Sequence, residues 1–490
     1  MQDVRVIAVI GAGDMGHGVA ELAALKGFDV RLRDVDGAAL DRAMQKVRAS
    51  LDKLVARSQA TRQQADDALA RIRPTTDLME AVGQADLVVE AVPERLDLKQ
   101  RVFVEVEAAA PPHAVLATNT SAMRVREVGA QLQDPSRLVG MHFFNPVLLM
   151  DLVEVVPGPR SSPAAVRAVE DVARRLGKTV VTLRQDVPGF VTTRLIGAWV
   201  GAAVLCAESK LASREEIDSA MRFRAGFPMG PFELADYTGL DVGVHAADYV
   251  ASRLGDAYRP LPSMRALVEQ GLLGKKTGRG FHEWREGRPT ATPTPELAKG
   301  FDPALVMAVV ANEAAKLLEQ GVASAADIDL AMRHGCAFPR GPLEWADEEG
   351  LDQVLKALYA LEEATGHPMA KPYELLVEMV REGRLGRRAG RGFRAPEPAA
   401  PAPGAAAARD AEPAYETLLV RVDEAARVGY VTLNRPHRMN ALNGQLIADL
   451  RRALDQMETD ERVRCIVLTG ALVRLHLVEG AAQVRDELAV

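Results

Sequence analysis

The sequence predicts a mostly parallel, doubly wound α/β sheet, followed by two tandem helical units and a short further α/β piece. Three observations carry this. An apolar run from Val4 to Ile10 passes into a turn with glycines at Gly11, Gly13 and Gly16 and then into a helical pattern. Strand-like runs alternate with helical segments as far as Leu183. A helical stretch then repeats itself roughly a hundred residues further on. Alternating strands and helices are the mark of a parallel sheet covered on both faces.

The first run has the β-branched content of a strand buried on both sides. In Gly11-x-Gly13-x-x-Gly16 the glycines allow a tight turn, close approach of backbone to a pyrophosphate, and close packing of the next helix. That helix starts near Asp14, with Met15 in its first turn and Val19, Leu22, Ala23 and Leu25 on its apolar face. It would aim its N–H groups and positive dipole end at the phosphates. Gly11, Gly13, Asp14, Met15 and Gly16 are therefore candidate cofactor contacts. Phe28 to Leu32 reads as a second strand ending at Asp34, about twenty residues past the glycines, where a carboxylate can hold both ribose hydroxyls. A carboxylate there repels a 2′-phosphate, which favours NAD over NADP although Arg31 and Arg33 are close. The plainer alternative is an ordinary βαβ turn with Asp34 at a strand end.

A chain of 490 residues is too long for one core, and three or four domains is the expectation. With 60 Lys+Arg against 67 Asp+Glu the net charge is -7, which makes no case for nucleic acid or a membrane as partner. No apolar run is long enough to span a bilayer, and the N-terminus enters a strand without a signal-peptide pattern. Cys206, Cys336 and Cys465 are too scattered for a disulfide framework or a metal cluster. A cytoplasmic enzyme without a metal fits these facts.

From Ala38 to Arg73 the pattern is helical and charged, with Met44, Val47, Leu51, Leu54 and Val55 as an apolar stripe. A lid over a ligand and a surface decoration are both open readings. Asp86 to Val92 is a strand, then come Pro93, Glu94 and a helix from about Leu98. Ala114 to Thr118 is the next, ending in Asn119-Thr120-Ser121, and Leu138 to Phe144 follows, ending in Asn145-Pro146. Leu152 to Val156 and Val180 to Leu183 complete the sheet.

Helices take over from Thr193 to Lys210. Glu216-Ile217-Asp218-Ser219-Ala220-Met221 is echoed by Asp327-Ile328-Asp329-Leu330-Ala331-Met332, and Phe227-Pro228-Met229-Gly230-Pro231 by Phe338-Pro339-Arg340-Gly341-Pro342. Two such units side by side are expected to pair within the chain. Residues 395–414 are Pro/Ala-rich and read as a semi-rigid linker. Beyond it, Leu418 to Val422 and Gly429 to Leu433 look like a strand pair, followed by a helix from about Gly444 to Met457 and a strand from Cys465 to Leu468. The expected division is 1–186, 187–290, 301–394, the linker 395–414, and 415–490.

Ser121, His142 and Glu154 lie at or near strand ends in the second half of the sheet, where ligands of open α/β sheets bind. A His paired with a carboxylate that fixes its tautomer is a standard general base, which is what oxidation of an alcohol by NAD requires of the protein. The blander readings stand beside this one. His142 among Met141, Phe143 and Phe144 also suits a core histidine, Glu154 a solvent-facing strand residue, and Ser121 the cap of a helix starting near Met123.

At these residues the sequence resembles the L-3-hydroxyacyl-CoA dehydrogenase family. The resemblance lies in Ala117-Thr118-Asn119-Thr120-Ser121, Gly140-Met141-His142-Phe143-Phe144-Asn145-Pro146, Leu152-Val153-Glu154-Val155, Pro188-Gly189-Phe190 and Pro228-Met229-Gly230-Pro231, and extends over about residues 1–394. It implies a Rossmann-like NAD-binding domain and two all-α C-terminal domains, with NAD as cofactor and an acyl-CoA as substrate. It implies His142 as base, Glu154 as its orienting partner, and Ser121 and Asn145 at the reacting end of the substrate. It places Glu94, Lys99 and Asn119 in the cofactor site and Ser50 and Arg57 beside coenzyme A. Where the family usually has Asn, this chain has Thr193, a shorter group with one hydroxyl; turnover or acyl preference is expected to differ.

Members with one helical copy generally dimerise through it. Tandem copies imply either a monomer with an internal pseudo-dimer or a homodimer, with one active site per chain. The C-terminal piece resembles the opening of a crotonase-like enoyl-CoA hydratase, in Gly429-Tyr430-Val431-Thr432-Leu433-Asn434-Arg435-Pro436, Met439-Asn440-Ala441-Leu442 and Val463 to Gly470. The match stops after Gly470, before the oxyanion turn and the acidic catalytic residues, so an incomplete α/β fragment without hydratase activity is expected. The implied function is NAD-dependent oxidation of (S)-3-hydroxyacyl-CoA in fatty acid β-oxidation or related acyl-CoA metabolism. The alternatives are a dehydrogenase of a non-CoA hydroxy acid and a non-catalytic NAD-binding scaffold.

Overall fold

In the computed structural model the described residues are 4–394 and, beyond them, 418–423, 427–433, 444–458, 460, 462–470 and 473–478. The chain divides into two units, residues 1–399 and 400–490. The first opens with β1 (Val6–Ile10), α1 (Asp14–Leu25), β2 (Asp29–Arg33), α2 (Gly37–Ala56), α3 (Arg62–Arg71), β3 (Ile72–Thr75), α4 (Leu78–Val82) and β4 (Leu87–Glu90). It continues with α5 (Leu96–Ala109), β5 (Val115–Thr118), α6 (Val125–Val128), β6 (Leu138–Phe143), β7 (Leu152–Pro157), α7 (Pro163–Arg175) and β8 (Thr179–Thr182).

These eight strands form one sheet in the order β3-β2-β1-β4-β5-β6-β7-β8. All neighbours are parallel except β6 and β7, so β1, β4, β5 and β6 end on one carboxyl edge while β7 returns from it. β3 departs from the sequence reading, which runs a helix to Arg73. Thr61 starts α3 with a reciprocal capping box, and Ile72–Thr75 then pairs with β2 at the sheet edge. Pro74 is tolerated there because an edge strand has one side without a ladder to complete. Nor does a helix begin near Met123. Thr120 Oγ1, not Ser121, accepts the Met123 N–H, and α6 starts only at Val125.

The first helical copy comprises α8 (Thr192–Glu208), α9 (Arg214–Phe223), α10 (Pro231–Thr238), α11 (Leu240–Leu254) and α12 (Pro262–Glu269), and ends in a two-stranded ribbon of β9 (Trp284–Arg285) and β10 (Arg288–Pro289). The second comprises α13 (Ala304–Glu319), α14 (Ala325–Cys336), α15 (Pro342–Glu349), α16 (Leu351–Thr365) and α17 (Glu374–Arg381). The repeated aspartates do the same work in each. Asp218 accepts the N–H groups of Phe232 and Glu233 at the start of α10, and Asp329 those of Leu343 and Glu344 at the start of α15. The copies pack on one another through α8 and α13. Equivalent residues Phe227 and Phe338 meet edge to face, ring centroids 4.8 Å apart, and Trp199 stacks on Phe227 at 4.9 Å.

Two apolar cores flank the sheet. Val153 and Val155 face one, with α1, α2 and α7; Leu152 and Val156 face the other, which runs on into both helical copies. In the second unit β11 (Leu418–Asp423), β12 (Val428–Leu433), β13 (Cys465–Gly470) and β14 (Val473–Val478) form a sheet in that order, and α18 (Gly444–Glu458) packs on β11 and β12. β14 is a strand that the sequence reading does not contain. The expected linker 395–414 and the motifs Asn434-Arg435-Pro436 and Met439-Asn440-Ala441-Leu442 lie outside the described residues. Among the described residues no helix is long and apolar enough to cross a membrane.

Candidate active site

The glycine turn leads directly from β1 into α1. Gly11 has φ +104 and a Cβ there would sit 2.5 Å from the Ala91 carbonyl oxygen; a Cβ on Gly16 would sit 1.8 Å from that of Gly11. Both positions require glycine for close packing. Gly13 is different: among the described residues a Cβ there would meet nothing within 4 Å, and no side chain caps the α1 N-terminus. The free N–H groups and the open space above Gly13 suit a phosphate. Asp34 Oδ2 accepts the Ala12 N–H at 2.8 Å, so the end of β2 is tied to the turn with a carboxylate beside it, an acceptor that suits hydroxyl groups. Met15 is half-buried on α1. Asp14 is exposed and pairs with Lys46 of α2 at 2.7 Å, which holds its carboxyl below the usual range.

Next along the carboxyl edge is a buried polar cluster. Lys99 of α5 is 1 % exposed. Its Nζ lies 2.7 Å from Glu90 Oε1 and 3.1 Å from Glu94 Oε2, and donates to the Val92 carbonyl. Thr118 Oγ1 donates to the other Glu90 oxygen at 2.7 Å. Burial pushes the Lys99 ammonium down, but the two glutamates outweigh it and hold it above its ordinary value. Burial likewise pushes the Glu94 carboxyl up, and Lys99 and Thr120 pull it below the usual range. Glu94 Oε1 accepts from Thr120 Oγ1 and from the N–H groups of Ser121, at 3.1 Å, and Ala122. One carboxylate therefore joins the Glu90–Lys99 cluster to the loop that carries Ser121.

His142 and Glu154, twelve positions apart in the chain, are direct cross-strand partners on β6 and β7. His142 Nδ1 lies 2.8 Å from Glu154 Oε2, and Nε2 lies 3.1 Å from Ser121 Oγ. Glu154 is 0 % exposed. An ionised carboxylate only accepts, so Nδ1 carries the hydrogen and Nε2 is left as the basic atom, facing Ser121. Glu154 also accepts from Thr192 Oγ1 at 2.7 Å, the Thr192 N–H at 3.1 Å and the Val191 N–H at 3.3 Å, all at the start of α8. Gly189 and Phe190, with φ of 72 and 50, turn the chain into that helix, and the Phe144 and Phe190 rings flank the imidazole.

The structure thus gathers Ser121, His142, Glu154 and, through one hydrogen bond, Glu94. Asn119 is adjacent; its Oδ1 accepts the Phe143 N–H at 2.8 Å and ties the ends of β5 and β6 together. Asn145 is exposed just past β6, and Thr193 is half-buried in the first turn of α8. Ser50 and Arg57 stand apart, on α2 and just after it, and α2 packs on α1, α3 and β3 rather than on β6 or β7. Sequence reasoning passed over Glu90 and Thr192. Glu90 sat in plain sight as a charge inside an apolar strand, whereas nothing in the sequence distinguishes Thr192 from Thr193.

The comparisons with known proteins agree in kind. The model of the 3-hydroxyacyl-CoA dehydrogenase NAD binding domain matches residues 6–187. That of the 3-hydroxyacyl-CoA dehydrogenase C-terminal domain matches twice, at 189–284 and 300–395. An enoyl-CoA hydratase/isomerase model matches residues 423–475, a few residues past Gly470, where the motifs end. The chain is 31% identical over 464 residues to a 3-hydroxyadipyl-CoA dehydrogenase of Escherichia coli, covering 77% of this chain and 97% of that protein. It is 38% identical to a probable 3-hydroxybutyryl-CoA dehydrogenase of Bacillus subtilis, covering 58% of this chain and 99% of the relative. The solved structure of a 3-hydroxybutyryl-CoA dehydrogenase from Escherichia coli matches with TM-score 0.71 and 30% identity, covering 78% of this chain and 100% of that one. The chain belongs to the 3-hydroxyacyl-CoA dehydrogenase family of NAD-dependent oxidoreductases.

Proposed function

We propose that the chain oxidises (S)-3-hydroxyacyl-CoA thioesters to 3-oxoacyl-CoA, in fatty acid β-oxidation or related acyl-CoA metabolism in the cytoplasm. The observation that carries this is the His142 ring, held between Ser121 Oγ and the buried Glu154 carboxylate on the same carboxyl edge as the glycine turn. His142 Nε2 takes the proton of the C3 hydroxyl, and Glu154 stabilises the imidazolium that results. Ser121 and Asn145 orient the reacting end of the substrate, Thr193 lies on its thioester side, and Ser50 and Arg57 meet coenzyme A. When bound, NAD supplies the hydride-accepting nicotinamide. Its phosphates suit the α1 N-terminus and the open space at Gly13, and Asp34 suits its ribose; Glu94, Lys99 and Asn119 belong to its nicotinamide side.

The second helical copy brings no glycine turn of its own, so titration is expected to find one NAD per chain. The intrachain pairing of the copies buries the face that a dimer would cover, which favours a monomer; light scattering measures this. Among solved structures that match, a diketoreductase acting on dicarbonyl compounds has TM-score 0.51 and 29% identity, which keeps a non-CoA substrate as the second reading. One assay separates them. NADH formation is followed with 3-hydroxybutyryl-CoA, longer 3-hydroxyacyl-CoAs and free hydroxy acids, in wild type and His142→Ala. Turnover of the thioesters that the substitution abolishes is the expected result. Turnover of free acids alone supports the second reading, and NAD binding with no turnover of any substrate refutes both.

A further inference from the structure

Alternate residues of a strand point the same way, so Glu154 shares its face of β7 with Leu152 and Val156. That face joins the core continuous with the two helical copies, not the opposite one. One helix from each copy covers it. α8, of the first copy, donates to the Glu154 carboxylate from its first turn. α14, of the second, packs on β7 and β8. A Cβ on Gly335, near the end of α14, would come to 2.6 Å from Leu152 Cδ2 and 3.2 Å from Phe144 Cζ. Phe144 in turn packs on His142, with ring centroids 4.4 Å apart. The next residue, Cys336, has its thiol held well above the usual range by burial and by the Glu154 charge.

The repeat supplies an internal comparison. Aligned on the shared Met-Arg and Phe-Pro motifs, Gly335 corresponds to Arg224 and Cys336 to Ala225. Arg224 donates its guanidinium to the Phe301 carbonyl at 2.5 Å. The helical fold itself therefore does not demand glycine here, and glycine inside a helix is disfavoured on conformational grounds. The constraint comes from the sheet: a side chain at this position would force α14, the Leu152 side chain or the Phe144 ring to shift. The second copy also grips α8. Arg194, in its first turn, donates from Nε to Glu313 of α13 at 2.8 Å, and both side chains are buried.

We propose that the second helical copy is a positioning element of the catalytic centre, with Gly335 of α14 setting the place of Phe144 and, through it, of the His142–Glu154 pair. The inference rests on the roles proposed above for those two residues. Its action is indirect, since no atom of α14 is asked to meet substrate or cofactor.

The test compares Gly335→Ala with two other variants of the full chain, using 3-hydroxybutyryl-CoA and NAD. Gly335→Ala is expected to lower kcat on the order of tenfold, a fraction of what gross misplacement of a reacting group costs. The KM for NAD is expected to hold, and the pH at which kcat falls on the acid side to move. Cys336→Ala removes atoms instead of adding them and so guards against a failure to fold; it is expected to change the same quantities, about twofold to fivefold. Leu358→Ala is the control, a buried position on α16, whose main packing among the described residues is on α13, α15 and α17. It is expected to lower the Tm at least as much while retaining kcat and its pH profile. The inference is overturned if both α14 variants keep the wild-type kcat and pH profile, or if Leu358→Ala loses as much kcat as they do. Absence of turnover in the wild type instead overturns the proposed function, and this inference with it.

Discussion

Glu154→Gln tests the site at its centre. The substitution preserves the shape of a side chain that is 0 % exposed and removes its charge. Glu154 Oε2 is 2.8 Å from His142 Nδ1, which puts the centres of an imidazolium and the carboxylate about 4 Å apart. At an effective dielectric of about 20, unit charges at that separation attract by about 4 kcal/mol. The imidazolium forms only as the substrate proton is taken, so this attraction favours the transition state over the ground state. At about 1.4 kcal/mol per decade, its loss is on the order of a thousandfold in kcat. A glutamine also has a single carbonyl oxygen for the donors that now share two, namely His142, the Thr192 hydroxyl and the N–H groups of Thr192 and Val191. One left unpaired costs about 1–3 kcal/mol of stability. The assay is NADH formation under saturating substrates, with NAD affinity and Tm measured on the same preparations. NAD affinity is expected to stay within about twofold, because the charge is needed only in the transition state. A loss of kcat below about tenfold in a folded, NAD-binding variant would refute the assignment of imidazolium stabilisation to Glu154.

Glu21 gives a pH-dependent expectation. Burial raises its carboxyl to about 7, with the Ser50 hydroxyl opposing, and Oε1 has no hydrogen-bond partner among the described residues. The folded chain therefore holds a proton that the unfolded chain releases from about pH 4.5 upwards. That contribution to stability is complete below pH 4.5 and lost as pH rises through 7. A gap of about 2.5 pH units at about 1.4 kcal/mol each makes Glu21→Gln more stable than wild type by up to about 3 kcal/mol at pH 8, and by almost nothing near pH 4.5; urea unfolding across pH checks this, and a flat difference contradicts it. Lys99→Ala leaves the buried Glu90 carboxylate without its cation and the partly exposed Glu94 without its partner, and is expected to cost about 3–5 kcal/mol in chemical denaturation, with activity falling as Glu94 loosens its hold on Ser121; a cost under about 1 kcal/mol counts against the cluster. Thr193→Asn restores the amide usual in the family and is expected to raise kcat/KM by roughly threefold to tenfold, the worth of about one hydrogen bond. A fall would mean that the pocket is built around the threonine.

Seven of the eight strands of the sheet were legible because each is a compact apolar run and the glycine turn announces its own context. The dyad was legible only as two residues twelve apart. Their adjacency depends on β7 returning antiparallel to β6 in one particular register, and alternation alone does not reveal that partner or direction. Thr192 escaped for a related reason: which of two neighbouring threonines turns inward is decided by where α8 starts, and helix ends are the least certain part of any pattern. β3 was hidden because Pro74 and its polar neighbours read as the continuation of a charged helix. α7 carried a readable start, Ser162 as N-cap with Pro163 in the first turn, which a count of strands passes over. The support that α14 gives to β7 could not be read at all. Gly335 shows as a glycine in the sequence, but the reason for it lies in a contact between residues nearly two hundred apart.

The meeting of Phe227 with Phe338 marks a two-fold axis that is only approximate. In a symmetric dimer a single gene writes both sides of the interface, and every substitution appears twice, for better and worse. Joining the copies in one chain ends that constraint. Arg224 can stand where Gly335 stands opposite, and Phe223 where His334 does, without either change being imposed on the other half. Each half is then free to be shaped by its own contacts, α8 by the Glu154 carboxylate that it holds and α14 by the strands that it covers.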